Sequence, residues 1–229
     1  TATQPLLHEV DSIKGAARLS ENPNMIPDSK KLYDSLRRVE FVDKRKPEGW
    51  KEDEIAEYAF QEMKHSHSVL IIVNTKAEAK EVFRRCRMKT DIVFHLSTSM
   101  CPAHRLNVLE QVKKRLELKN SEPFICVSTQ LIEAGVDVDF GSVIRYLAGL
   151  DSIVQAAGRC NRNGLRPIGK VYVVNPANEN LKKLPDIRIA KEKAERVLDE
   201  LCNDPGAFEN DLLSPPAMEK YYKYYFHER

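Results

Sequence analysis

The sequence predicts an α/β domain built on a mainly parallel sheet. Short apolar runs of strand length recur through the middle of the chain, and each is followed by a stretch with helical periodicity. Strands that alternate with helices of about ten residues need crossover connections, which bring consecutive strands together in parallel. The length of 229 residues fits one domain with an appendage, or at most two small domains.

Residues 1–50 hold little regular patterning and end in the charged stretch Val42-Asp43-Lys44-Arg45-Lys46-Pro47. Lys51 to Lys64 has the spacing of an amphipathic helix. Val69 to Val73 is a continuous apolar run and is expected to be a buried strand, followed by a helix from Ala77 to Arg87 with Ala79, Val82 and Phe83 inward. Ile92 to His95 is a second strand. Pro102 then opens a helix with Leu106, Leu109, Val112 and Leu116 on one side and Lys113, Lys114 and Arg115 facing water. Phe124 to Val127, Val143 to Tyr146 and Lys170 to Val174 complete the expected strands, with a short helix from Gln130. Beyond Pro176 come a charged helix, Ile187 to Cys202, a proline-containing loop, and the aromatic tail Tyr221 to Phe226. The expected division is a connecting segment over 1–50, the α/β domain over 51–180, and a C-terminal helical extension or linker over 181–229.

Composition excludes several classes. Hydrophobic residues make up 42% and charged residues 31%, which suits a folded globular chain. With 36 Lys+Arg against 34 Asp+Glu, any nucleic-acid binding must come from local placement of charge. No apolar run approaches the ~20 residues of a membrane span, and Thr1 to Pro5 lack the features of a signal peptide. The five cysteines (Cys86, Cys101, Cys126, Cys160, Cys202) stand far apart, so reduced thiols in a cytoplasm are expected rather than a disulfide framework or zinc site.

Two segments carry the chemistry. In Ser128-Thr129-Gln130-Leu131-Ile132-Glu133-Ala134-Gly135-Val136-Asp137, a strand turns into a short helix whose N–H groups can hold a phosphate. Gly135 caps that helix, and Asp137 beyond it can accept a ribose hydroxyl. Alone, this is also the pattern of any capped helix in an α/β protein. In Gln155-Ala156-Ala157-Gly158-Arg159-Cys160-Asn161-Arg162, two arginines three apart would point the same way from a helical turn. Their planar donor forks suit a γ-phosphate and the charge that develops as it leaves, although solvated surface arginines are the ordinary alternative.

Together, T-x-x-x-x-x-G-x-D and, 18 residues on, Q-x-x-G-R-x-x-R resemble motifs V and VI of superfamily 2 helicases. Ile72-Val73-Asn74-Thr75 resembles motif IV. His95 to Met100 with Arg105 is similar to the strand-end segment that touches the nucleic-acid backbone, and Thr1-Ala2-Thr3 to motif III, which ends the first motor domain. The wording is most similar to the helicase–nuclease of type I CRISPR interference, over residues 1–5 and about 70–175. The resemblance implies a second RecA-like domain: three layers, a mainly parallel central sheet with helices on both faces, and the helical extension behind it.

It further implies an ATP-dependent motor on single-stranded DNA. Arg162 would act as arginine finger, Arg159 would contact the γ-phosphate, and Gln155 would position nucleotide or water. Gly135, Asp137 and Gly158 would bind the nucleotide, and Asn74, Thr75, His95, Met100, Arg105, Ser128 and Thr129 the nucleic acid. Magnesium would be held mainly by a first RecA-like domain absent from this chain, which lacks both a phosphate loop and an acidic box. Gly164 to Lys170 fits G-x-x-x-x-G-K, but it ends in Val171 where Ser or Thr is needed and leads into a strand. Without a His-Asp dipeptide, no metal is assigned to the chain itself. The implied partners are single-stranded DNA, the first RecA-like domain, a nuclease domain and a CRISPR surveillance complex, with no membrane. The chain is thus expected to be a half-motor, inactive alone. An RNA helicase or other superfamily 2 translocase, and a RecA-like scaffold without ATPase activity, remain as alternatives. Position 156 is Ala where the resemblance leads one to expect Arg, which puts in doubt any contact from that arginine to the first domain.

Overall fold

A computed structural model describes residue 31 and residues 35–118 and 121–227 of the chain, so the Thr-Ala-Thr opening lies outside the described residues. Six strands form one sheet in the order β1-β6-β5-β2-β4-β3. These are β1 (Val39–Asp43), β2 (Ser68–Val73), β3 (Val93–Leu96), β4 (Phe124–Thr129), β5 (Ser142–Tyr146) and β6 (Gly169–Val174). Every pairing is parallel. The carboxyl ends of all six strands therefore share one rim.

β2 shows why both faces are covered. Its side chains alternate, sending Val69, Ile71 and Val73 to one core and Leu70 and Ile72 to another. Over the first face lie α1 (Glu52–Ser66), through Ile55, Ala59 and Met63, and α2 (Lys76–Arg87), through Ala79 and Val82. Over the second lie α3 (Pro102–Glu117), through Val112, and α4 (Leu150–Ala157), through Ala156 and Ala157. The second face also takes a third cluster, in which α5 (Pro185–Asn203) and α6 (Pro215–His227) pack Val197, Leu198, Ala217 and Tyr221 against Leu150, Ile153 and Val173. The aromatic tail thus packs on the domain's own core, and Tyr221 donates its hydroxyl to Asp151 at 3.0 Å.

Three expectations change. β1 lies in the segment that sequence patterning leaves irregular; its five residues mix charge with apolar side chains and fall short of a clear period. The helix expected from Gln130 is a single 3-10 turn over Gln130–Ile132, closed by the Glu133 N–H on the Gln130 carbonyl at 3.0 Å. On α3 only Val112 is fully buried and Leu106 is 61% exposed, because the helix covers β3 at the sheet margin and only part of its apolar stripe meets the core.

Candidate functional site

β4 delivers the chain to the carboxyl rim, and residues 130–141 cross the second face back to the opposite rim, where β5 begins. α4 runs beside that crossing. The two segments are stitched together where Phe140 donates its N–H to the Arg159 carbonyl (2.9 Å) and Asn161 donates to the Phe140 carbonyl (3.0 Å). Two stretches about 20 residues apart in sequence thus form one surface.

Arg159 and Arg162 do not stand on a helical turn. α4 ends at Ala157, and the backbone turns at Asn161, whose φ of 46° takes the chain through the left-handed region. Arg159 is therefore drawn inward. It is buried, and its Nε donates to the Ile132 carbonyl at 2.9 Å and its Nη2 to the Glu133 carbonyl. Burial, followed by the charge of Arg162, lowers its pKa from the ordinary arginine value. Arg162 points outward with its side chain 46% exposed, and its Nε lies 2.9 Å from an Asp137 carboxylate that is 79% exposed. Cys160 between them is a packing residue, its thiol pushed up to about 12 by burial.

The loop is held from several sides. Asp139 accepts the N–H groups of Arg162 (2.7 Å) and Asn163 (3.1 Å). Asn161 donates to the Arg38 carbonyl at 2.9 Å, and Arg38 reaches back to the Arg162 carbonyl. Gly158 caps α4 and offers its carbonyl to Arg162 Nη1 at 3.4 Å, while Gln155 is half-buried one turn earlier. Gly135 has a φ of +71° and nothing within 4 Å of where a Cβ would sit, so backbone conformation rather than space calls for glycine there.

Residues expected to touch nucleic acid gather at the carboxyl rim, where Val73 registers with Thr129 and Leu96 with Ser128. They do not all face outward. Asn74 is buried, donating to the Leu147 carbonyl (3.0 Å) and to Glu179 (2.6 Å). The Ser128 hydroxyl is buried on the Thr129 carbonyl, and His95 lies against Phe83 with ring centroids 5.3 Å apart. Burial lowers the His95 pKa. Thr75 caps α2, accepting the Glu78 N–H at 3.2 Å. Thr129 sits at the rim with a small exposed margin, and Met100, on the connection after β3, and Arg105, in the first turn of α3, are half-buried.

Sequence reading missed Glu133 and Arg145. Arg145 is fully buried in β5, with Nε 2.8 Å from Glu133 and Nη1 donating to Asn74 at 2.7 Å and to the Tyr146 carbonyl at 2.9 Å. An arginine between Ile144 and Tyr146 in an apolar strand was the available signal, since a charge there must be paired. Among the described residues, no group of three or more His, Cys, Asp or Glu side chains is placed to hold a metal ion. No described helix is long and apolar enough to cross a membrane.

Residues 65–165 match the family model "CRISPR-associated nuclease/helicase Cas3, C-terminal". This segment is similar to the C-terminal helicase domain of Cas3 proteins. A CRISPR-associated nuclease/helicase Cas3 of Haloferax volcanii is 64% identical over 47 residues, covering 20% of this chain and 5% of that protein. Its counterpart in Methanothermobacter thermautotrophicus is 34% identical over 96 residues, covering 42% and 11%. The chain thus spans a small part of the relatives it matches. The crystal structure of T. fusca Cas3-AMPPNP superposes with a TM-score of 0.61 at 16% identity, covering 84% of this chain and 26% of that one. The described residues therefore share the α/β RecA-like fold of that structure.

Proposed function

We propose that the chain is the C-terminal half-motor of an ATP-dependent single-stranded DNA translocase acting in CRISPR interference. The observation that carries this reading is the state of Arg162. It is an exposed guanidinium on a loop fastened by Asp139, Asn161 and Arg38, and Asp137, the carboxylate beside that guanidinium, is itself open to solvent. An ion pair between exposed groups is worth about 0.2–1 kcal/mol, so a polyphosphate can displace Asp137 at little cost. The kinship with Cas3 nuclease/helicases supports the choice of motor and of CRISPR context.

The donor set fits a nucleotide at this face. Arg162 would meet the γ-phosphate as arginine finger, with Arg159 behind it holding the backbone of Ile132 and Glu133 in place. Asp137, once released, would be available to a ribose hydroxyl near Gly135, with Gln155 and Gly158 on the α4 side. Bound ATP supplies the scissile phosphoanhydride, with magnesium held mainly by the first RecA-like domain. Thr75, Thr129, Met100 and Arg105 would grip the DNA backbone at the carboxyl rim, supported from beneath by Asn74, Ser128 and His95. Such a grip weakens as salt rises. The chain alone is expected to turn over essentially no ATP.

The test is single-strand-stimulated ATPase of the protein in which this domain is joined to its first RecA-like domain, wild type against Arg162→Ala. An arginine finger is worth roughly 10³–10⁵ in rate, so turnover should collapse on that scale with nucleotide affinity largely retained. Unchanged turnover would sink the motor reading. Stimulation by single-stranded RNA but not DNA would redirect it to an RNA helicase.

A further inference from the structure

Beneath the site, a row of polar side chains crosses the buried face, joined at Glu133 and Arg145 by a close ion pair without hydrogen-bond alignment. The Glu133 carbonyl accepts from Arg159. The Glu133 carboxylate lies 2.8 Å from Arg145 Nε, and Arg145 Nη1 reaches Asn74 Oδ1 at 2.7 Å. Asn74 donates onward to Glu179 at 2.6 Å, which holds Lys191 of α5, also at 2.6 Å. Arg145, Glu133 and Asn74 are all buried.

Desolvating two charges is costly, and a well-packed apolar pair often serves stability as well. The geometry here suggests what the pair does instead. Glu133 follows a single 3-10 turn and lies two residues before Gly135, whose φ of 71° breaks any helix, so little helical hydrogen bonding holds its backbone. Its carbonyl, with that of Ile132, is what Arg159 grips. Arg145 is anchored in the middle of the sheet, flanked by Ile72 and Val173 in register.

We infer that Glu133 and Arg145 are positioning residues for the arginine loop: through Arg159, the buried pair fixes where Arg162 is presented to the nucleotide. This inference rests on the proposed function and assigns a role within it to two residues that touch no ligand. Lysine at 145 cannot replace the arginine, because one ammonium cannot face Glu133, Asn74 and the Tyr146 carbonyl with the same fork geometry.

The experiment uses the same ATPase assay on Glu133→Gln, which keeps shape but removes the charge. It is paired with the double variant Glu133→Leu/Arg145→Met, which removes both charges together. Each is also combined with Arg162→Ala, and backbone amide exchange is followed over residues 158–164. A small displacement of a transition-state group can cost up to about a hundredfold, so kcat should fall about tenfold to a hundredfold with the KM for ATP within about twofold. Adding Arg162→Ala should cost nothing further than Arg162→Ala alone, because both act by one route. Exchange should quicken over 158–164 while the strands stay protected.

If Arg162→Ala abolishes turnover but both pair variants keep full kcat, the inference falls and the motor reading stands. Losses that multiply, or exchange that rises equally over the whole sheet, also overturn it, because the pair would then serve stability alone. If Arg162→Ala itself is without effect, the motor reading fails and takes this inference with it.

Discussion

Arg159 and Arg162 carry the same side chain three residues apart, yet their surroundings are opposite. Arg159 is sunk among carbonyls and belongs to a buried polar region with Glu133, Arg145 and Asn74. The Arg162 guanidinium stands in solvent against an exposed carboxylate, that of Asp137. A guanidinium satisfied by backbone oxygens in a fixed loop has nothing to gain by leaving. One held by an exposed acid exchanges partners readily. The difference separates a brace from an effector within a single motif, and spacing alone does not make that separation.

The comparison breaks most visibly if the buried side proves cheap. Arg145→Met leaves Glu133 charged and unpaired in the interior, so a loss of about 3–5 kcal/mol is expected in urea unfolding. Converting Glu133 to Leu in the same chain should restore much of it. A loss below about 1 kcal/mol for the single variant would mean that water or rearrangement satisfies Glu133, and the two arginines would then differ less than their burial implies.

A second acid on the buried side sharpens the contrast through pH. Glu78 is held against Thr75, Glu179 and Lys191, and burial, with the charge of Glu179 adding to it, pushes its carboxyl up to about 7 from the usual 4.5. The folded state then binds a proton that the unfolded chain has released. The associated stability is fully present below about pH 4.5 and is lost as pH rises through about 7, by up to about 3 kcal/mol. The Glu78→Gln chain should show a flatter urea midpoint between about pH 5 and pH 8 than the wild type. Equal slopes would place the charge of Glu78 in solvent.

The smallest effect belongs to the exposed side. Arg162→Ala should shift unfolding stability by no more than about 1 kcal/mol, whatever it does to turnover. A larger loss would make Arg162 a second brace.

Much of this fold was legible in the sequence. The apolar runs at Val69–Val73 and Phe124–Val127 are long enough, and bounded sharply enough, to be read as strands buried on both faces. β1 was not legible because Glu40 and Asp43 interrupt its short apolar pattern, and its place is decided by β6, more than 100 residues away. The order of the Thr129–Asp137 and Gln155–Arg162 segments is legible in the sequence, but the orientation of their side chains is not. Whether Arg159 turns in or out depends on the positive φ at Asn161 and on carbonyls contributed by a distant turn. The resemblance to motif IV implies that Asn74 meets nucleic acid; Arg145, three strands later in the sequence, donates to its side chain and holds it inward.

β1 has one more consequence, for where this unit can be cut. Segment 65–165, over which the family resemblance is written, contains neither β1 nor β6, and so only four of the six strands. A chain trimmed to start at residue 51 would leave the outer backbone of β6 open along the length where five residues of β1 now pair with it. A bare parallel edge flanked by Val171 and Val173 invites a strand from another molecule. Trimming would also remove Arg38, which fastens the Arg162 loop. The portion covered by the family match is therefore smaller than the six-stranded sheet, and the difference includes one wall of the site.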